Sequence, residues 1–429
     1  MADSSSDGST TRAYRQHCLP YLPKLENPEA PESGLLGFGR ENMAIPGPSV
    51  IPERVLAAMA RPMTDIYAGD LVDASTDIFS RLPMIARTSG PVFATIGNGH
   101  AAWQMAIDNT LSRGDKVLVL ESGRFATLWG EMASRSGVDV EVLPGDDRHP
   151  VDPAALQARL EADTDKAFKA VLTVQTDTAS GVINDLLALR AAIDAADHPA
   201  LFLVDCIASI GCEPFEMDAW GVDLTVGASQ KGLMVPPGLG FVWAGEKALA
   251  AHKTADLRNG YFEWENRLKA RFHYELYAGT PPVSHIYAMR EALDMIDEQG
   301  GIEAVWERHR LLASAVWAAV EAWSAPGRIE FNIIDPRYRS TAVTTIRTGS
   351  IPADELRSIC RHQAALTVGV GIGEFADRAF RIGHMGYVDV PGILGTLATV
   401  EAALTAMGEA PASSGAAAAA AVLGAALRR

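Results

Sequence analysis

A lysine stands where a lysine is expensive. Lys231 follows Ser229 and Gln230 and precedes Gly232 and Leu233 in the stretch "VGASQKGLMVPPGLGFVWAG", residues 226–245. Its neighbours are small, apolar or uncharged, so an ammonium there loses hydration without gaining a partner. Such an amine is suited to a covalent Schiff base with an aldehyde; the plainer alternative is a turn lysine pointing to water. Asp205 closes the apolar run "ALFLVD" upstream. A carboxylate ending a buried strand needs a partner. A protonated pyridine nitrogen would serve, and the acid would keep that ring an electron sink. The alternatives are a helix cap or a bond to backbone.

Three further stretches place polar or aromatic groups just past apolar runs. In "ATIGNGHAAW", Gly97, Asn98, Gly99 and His100 link a run to a helical pattern. Exposed N–H groups and the helix dipole make such a junction an anion site. The spacing Gly97-x-Gly99-x-x-Ala102, with Glu121 after the next run, also fits a dinucleotide fingerprint. Phe125 in "ESGRFATLW" could stack on a flat ring, or simply pack. Thr178 and Ser180 in "QTDTASGV" could bond a phenolate, although turn chemistry explains them nearly as well. Each signal is ambiguous singly; the ordered set is less so. A dinucleotide-dependent dehydrogenase would account for Gly97 to Ala102 and Glu121, but for neither Asp205 nor Lys231.

Elements must hold these residues together. The runs "PVFATI", "KVLVLE", "VDVEVL", "KAVLTVQ", "ALFLVD", "VDLTV" and "LGFVWA" read as strands. Helical patterns separate several of them, including "HAAWQMAIDNTL", where Trp103, Ala106, Ile107, Thr110 and Leu111 share one face, and "NDLLALRAAIDAA". Nearly continuous apolar strands alternating with helices predict an α/β fold with a mostly parallel, seven-stranded sheet covered on both faces. Ligands of such sheets gather at the carboxyl ends of the strands.

The texture changes after residue 280. A long helical stretch broken at Gly300-Gly301 precedes the strands "RIEFNII" and "STAVTTIRT", the helix "PADELRSICRHQAAL" and the strand "RAFRIGHMG". These predict a smaller α+β C-terminal domain. The expected organisation is an extension over 1–40, a large domain over 41–300, a small domain over 301–410 and an Ala-rich tail over 411–429. The tail favours helix but has few large side chains to dock with.

Hydrophobic residues make up 48% and charged residues 21% of the 429, an ordinary globular profile. The formal net charge of −16 argues against nonspecific binding to nucleic acid or anionic membrane. Cys18, Cys206, Cys212 and Cys360 show no C-x-x-C spacing, so no metal knuckle is expected, and Cys206 and Cys212 read as small core hydrophobes. The amino terminus lacks the apolar region of a secretory signal and no run is long enough to span a membrane, so a cytoplasmic location is expected.

The motifs "GNGHAAW", "VDCIASIG", "GASQKGLMVPPGLGF", "YAGTPPV" and "FRIGHMG" resemble class V aminotransferases of PLP fold type I. The resemblance covers about residues 44–408 and is closest to the alanine–glyoxylate and serine–glyoxylate branch, with its aspartate–glyoxylate and pyridoxamine–pyruvate relatives. It implies pyridoxal 5'-phosphate as cofactor, Lys231 as the Schiff-base lysine and Asp205 as partner of the ring nitrogen. It implies phosphate contacts from Asn98, Gly99, His100 and Gln230, stacking by Phe125 and a bond from Thr178 near the ring oxygen. Arg381 would grip the substrate carboxylate through two parallel N–H bonds. The loop "IPGPSVIP" (Ile45, Pro46, Gly47 and onward) would line the substrate pocket. Tyr277 and Thr280 would complete the site of a second subunit in an obligate homodimer. No metal is implied.

The implied reaction moves an amino group from a small L-amino acid (serine, alanine or aspartate-like) to a 2-oxo acid, glyoxylate or pyruvate. A lyase or desulfurase of the same fold is the main alternative, but such desulfurases use a mobile-loop cysteine and usually a histidine before the lysine. Here Gln230 takes that place and Cys360 falls in a helical pattern. The sequence also departs from many serine–glyoxylate relatives, which carry Asp-His-Arg-Ser where this chain reads Asp65-Ile-Tyr-Ala-Gly-Asp70.

Overall fold

A seven-stranded sheet forms the centre of a computed structural model that describes residues 33–428. Most of the expected N-terminal extension, with Cys18, lies outside the described residues. The chain runs β1 (Asn42–Ala44), α1 (Glu53–Met59), α2 (Asp70–Ala86), β2 (Val92–Gly97), α3 (Gly99–Thr110), β3 (Lys116–Leu120), α4 (Arg124–Arg135), β4 (Asp139–Leu143) and α5 (Pro153–Glu161). It continues through β5 (Phe168–Val174), β6 (Thr176–Asp177), β7 (Val182–Ile183), α6 (Leu186–Ala195), β8 (Leu201–Asp205), β9 (Leu224–Ala228), β10 (Gly238–Ala244), α7 (Glu246–His252) and α8 (Trp264–Leu268). The remainder is α9 (Val283–Glu298), α10 (Ile302–Trp323), β11 (Glu330–Phe331), β12 (Val343–Arg347), α11 (Ala353–Ala364), β13 (Leu366–Val370), β14 (Ala379–Gly383), α12 (Val390–Ala406) and α13 (Gly415–Ala426).

The large sheet has the order β2-β10-β9-β8-β5-β3-β4. All seven apolar runs read from the sequence are its strands. Helices cover both faces, and β8 and β9 are buried at every residue. That is why these strands show no polar alternation. β10 alone runs antiparallel to its neighbours. A short loop joins it to β9, without the helical crossover that a parallel return requires. The carboxyl ends of β2, β9, β8, β5 and β3 therefore share one edge of the sheet, the edge where Asn98, Gln230, Asp205, Thr178 and Phe125 follow.

Local chemistry sets the helix ends. Asn98 caps α3 by accepting the N–H of His100 at 3.0 Å, and Asp152 caps α5 with Pro153 in the first turn. Gly300 and Gly301, both at positive φ, make the break between α9 and α10.

The smaller sheet has the order β1-β13-β14-β12-β11. Its outer strands are short, and neither β1 nor β13 is evident in the sequence pattern. β1 lies far upstream of its parallel partner β13, pairing Asn42 with Leu366 and Ala44 with Val368. Two apolar cores pack against the large sheet, and one of them extends along the chain to Val305 and Trp306; the core of the smaller sheet takes up from Leu312 of the same α10.

The Ala-rich tail departs from expectation because it docks. Ala419 and Leu423 of α13 are buried with the smaller core. Glu401 ties the junction together: its Oε2 accepts the Trp323 indole N–H at 3.0 Å and the N–H of Gly415 at 2.8 Å. A Cβ at Gly415 would run into the Trp323 ring. Small side chains here permit close approach, so docking needs no large residues.

Candidate active site

The strand-end residues converge on one cavity of about 180 Å³. Asn98, Gly99, His100, Phe125, Thr178, Asp205, Gln230 and Lys231 all line it, joined by Trp103, Val174, Thr176, Ile207 and Ala208. The amino end of α3 forms one wall. Gly99 lets this wall approach closely, since a Cβ there would press on the Ile207 side chain beyond β8.

Lys231 does not point to water. Its Nζ lies 2.5 Å from the Pro46 carbonyl oxygen and donates to it. Burial first, and the Arg381 charge second, push its pKa down to about 8. An amine so placed supplies a far larger neutral fraction near neutral pH than a solvated lysine and is mostly neutral above pH 8, as a nucleophile or base must be. The loop carrying Pro46 is pinned to the same segment: Ser49 N donates to Gln230 O at 2.9 Å and Ser49 Oγ to Lys231 O at 2.8 Å. Gly47 has φ +93°, and any Cβ there would overlap the Lys231 side chain. The loop reaches this position because β1 enters the smaller sheet beside β13.

Asp205 is 3% exposed. Burial pushes its carboxyl up to about 7, against two bonds that favour the charged form: Ile207 N to Oδ1 at 2.6 Å and the Trp103 indole N–H to Oδ2 at 3.0 Å. A cationic partner in the cavity would relieve this strain on the charge.

Arg381 lies on β14, paired across to Thr345 and Gly369. Its Nε donates to Val370 O and its Nη1 to Thr178 O, each at 2.7 Å. These two bonds leave N–H groups for a ligand and fix the plane of the guanidinium. Burial lowers its pKa to about 10, and Asp177 opposes that shift. Asp177 itself is fully buried. It accepts from Phe125 N at 2.8 Å, Ala126 N at 3.1 Å and Ala179 N at 2.9 Å, joining β6 to the start of α4. The two positions that flank this link are Phe125 and Thr178.

Tyr277 and Thr280 do not line the cavity. The Tyr277 hydroxyl lies 3.1 Å from Ser75 Oγ, with its ring beside Phe79. Thr280 is exposed. Ser180 turns away and donates to Ser122 O at 2.8 Å. Trp103, Thr176 and Asp177 escaped the sequence reading. Trp103 looked like a core residue by its helical spacing, and nothing local distinguishes Asp177 from a turn aspartate.

The structure also separates the rival readings. Glu121 follows β3, separated from β2 by four intervening strands, and lines a different cavity of about 500 Å³. It cannot serve a ribose held at Gly99. Cys360 is fully buried in α11, as are Cys206 and Cys212 in their own segments, so no described cysteine is placed as a mobile nucleophile. Among the described residues no cluster of potential metal ligands occurs, and no helix is long and apolar enough to cross a membrane.

A half-buried lysine and a buried carboxylate lining one cavity, beside a helix amino terminus and an arginine, make a site for amine chemistry. Comparison with known proteins agrees. The profile of the family described as aminotransferase class-V matches residues 86–374. The chain is 37% identical to the serine–glyoxylate aminotransferase of Methylorubrum extorquens, over 85% of this chain and 91% of that one. It is 35% identical to the L-aspartate–glyoxylate aminotransferase of Paracoccus denitrificans, over the same shares. The crystal structure of the ureidoglycine–glyoxylate aminotransferase of Bacillus subtilis superposes with a TM-score of 0.81 at 25% identity, covering 94% of this chain and all of that one. The resemblance seen in the motifs thus extends over most of the chain and its fold, and the protein belongs to the class V aminotransferases.

Proposed function

We propose that this aminotransferase holds pyridoxal 5'-phosphate in the cavity between Asp205 and Lys231 and transfers an amino group from a small L-amino acid to glyoxylate. The observation that carries this reading is a pair of groups lining one cavity, the half-buried Lys231 amine at lowered pKa and the buried Asp205 carboxyl at raised pKa. The cavity fits the cofactor in a second respect. Gln230 Oε1 is buried there without a hydrogen-bond partner in the chain, a condition that a bound polar ligand relieves. When bound, the cofactor supplies an aldehyde for covalent attachment and a ring that takes up the electron pair left by a departing proton.

The residues would divide the work as follows. Asn98, Gly99, His100 and Gln230 bind the phosphate, Phe125 covers the ring and Thr178 meets its oxygen. Asp205 holds the ring nitrogen in its protonated form. Arg381 orients the substrate carboxylate, with Pro46 and Gly47 closing the pocket over Lys231. The Lys231 Nζ would take the α-proton from the substrate and return it two atoms away, to the carbon on the cofactor side of the nitrogen, so that the amino group stays with the cofactor. Glyoxylate as acceptor is supported by the names of the relatives compared, with pyruvate as second choice. Serine and aspartate are the leading donors for the same reason. The segment that differs from serine–glyoxylate relatives, residues 65–70, is largely exposed and contributes nothing to the cavity of this chain. A homodimer in which Tyr277 and Thr280 complete the second subunit's site is part of the proposal; sedimentation at micromolar concentration should give twice the chain mass.

The direct test is a spectral screen. Cofactor-loaded enzyme mixed with each amino acid should lose its aldehyde absorbance with a true donor and regain it with glyoxylate. Absence of any such half-reaction across all small amino acids would remove the proposal. Replacing Arg381 with alanine is expected to raise the KM for the 2-oxo acid by about 10²-fold, from loss of about 2–3 kcal/mol of charged hydrogen bonding. Cofactor affinity should change far less. An unaltered KM would place the carboxylate elsewhere.

A further inference from the structure

Trp103 packs like a core residue yet touches the carboxylate on which the proposed chemistry depends. It is 1% exposed, runs nearly parallel to Trp129 with centroids 6.1 Å apart, and lies against His100 at 4.5 Å. Its indole N–H donates to Asp205 Oδ2 at 3.0 Å, while Ile207 N occupies Oδ1. Packing alone does not demand that bond. The indole N–H groups of Trp129, Trp264, Trp306 and Trp317 are buried without an acceptor. At Trp103 the ring is wedged between two others, so the donor cannot swing away and the carboxylate cannot rotate without losing it.

We infer that Trp103 is a positioning residue for Asp205: its indole N–H fixes the plane of the carboxylate and stabilises its anionic form, so that the ring nitrogen of the bound cofactor meets a charged, oriented oxygen. This rests on the cofactor reading given above. A carboxylate oxygen accepts more than one hydrogen bond, so each Asp205 oxygen keeps a lone pair for the cavity. Donors to the anion favour ionisation, whereas burial opposes it. The other groups bearing on Asp205 are few. Asp177 disfavours its charge and Lys231 favours it. The adjacent Cys206 thiol has its own pKa raised by burial, and the His100 ring beside Trp103 has its pKa lowered by burial. Val174 and Val226 flank Asp205 on β5 and β9. With so few favourable partners, loss of the indole donor has a large share of the effect.

Trp103→Phe keeps a buried ring and deletes the donor. In the apoprotein, infrared difference spectra against Asp205→Asn follow protonation of this carboxyl. Its midpoint should rise by about one pH unit in Trp103→Phe, the size of one hydrogen bond to a charged group. With pyridoxal 5'-phosphate labelled with 15N in the ring, wild-type enzyme should show a protonated nitrogen at pH 7.5. Trp103→Phe should show a partly deprotonated nitrogen and a dissociation constant about tenfold higher. Should the variant fail to fold, 15N-tryptophan-labelled wild-type apoprotein serves instead: one indole proton should titrate with the Asp205 midpoint and stop titrating in Asp205→Asn. An unshifted midpoint with an unchanged ring signal, or no indole that titrates, would overturn the inference. If wild-type enzyme takes up no cofactor, the cofactor reading fails separately, and the two apoprotein measurements still decide whether Trp103 controls Asp205.

Discussion

Lys231→Ala should lower turnover by at least about 10³-fold, the scale lost when a positioned general base is removed. The effect is large because no other group stands ready to replace it. Asp205 is held by two donors, and Arg381, although lowered to about 10, remains a cation at neutral pH. The amine is also poised energetically. With its pKa pushed down to about 8, Lys231 Nζ can accept the α-proton near neutral pH, which a solvated lysine near 10.5 does poorly. The variant should retain its circular dichroism and bind the cofactor more weakly. Borohydride treatment of cofactor-loaded wild type should fix label on the peptide containing Lys231, with none in the variant. A small primary amine added at high concentration should restore part of the activity by filling the vacated space. Near-normal turnover, or label on another peptide, would displace Lys231 from its assigned role.

Asp205→Asn should separate function from stability in opposite directions. The amide cannot hold a ring nitrogen in its protonated form, so turnover should fall by roughly 10²-fold or more, consistent with the role of an acid partner for such rings. The apoprotein, however, should gain stability above neutral pH. The carboxyl has a folded pKa near 7 against an ordinary value of 3.8, so the folded state binds the extra proton between these limits. Stability therefore falls as pH rises through that window, and the cost is fully present above pH 7, at roughly 4 kcal/mol. Asparagine removes this cost. It has one oxygen for the two donors Trp103 and Ile207, so one loses its acceptor, at about 1–3 kcal/mol. The net expectation is a higher melting temperature for apo Asp205→Asn at pH 8, with the advantage vanishing as pH is lowered toward 4. A variant less stable than wild type at pH 8 would mean that the buried charge is compensated by groups other than those described.

The same pair explains why the site is costly to the empty protein. Lys231 and Asp205 are both shifted against their charged forms by burial, each favouring the other's charge only as a secondary effect. A bound ligand offering a cation to Asp205 and a covalent partner to Lys231 would offset both penalties. Cofactor binding should accordingly raise the melting temperature well beyond what its contact area alone suggests.

Much of this molecule was set by local pattern. The seven apolar runs became the seven strands because strands buried on both faces need no alternation, and that property is visible one strand at a time. The order of Asn98, Phe125, Thr178, Asp205 and Lys231 at successive strand ends is likewise a property of the chain, since the ends of parallel strands meet on one edge. What tertiary structure decided lies between segments far apart in sequence. The three-residue β1 is too short to carry a pattern, yet its pairing with β13 brings Pro46 and Gly47 onto Lys231. Trp103 has the spacing of a packing residue, and only the meeting of α3 with β8 makes its N–H a ligand of Asp205. Tyr277 faces Ser75 rather than outward because α2 passes over it. Alanine in α13 looked too small to dock, but smallness is what lets a helix lie close against Trp323. Periodicity and turn chemistry act over a few residues; hydrogen bonds and close approaches across the sheet depend on where the whole chain returns, which no short stretch records.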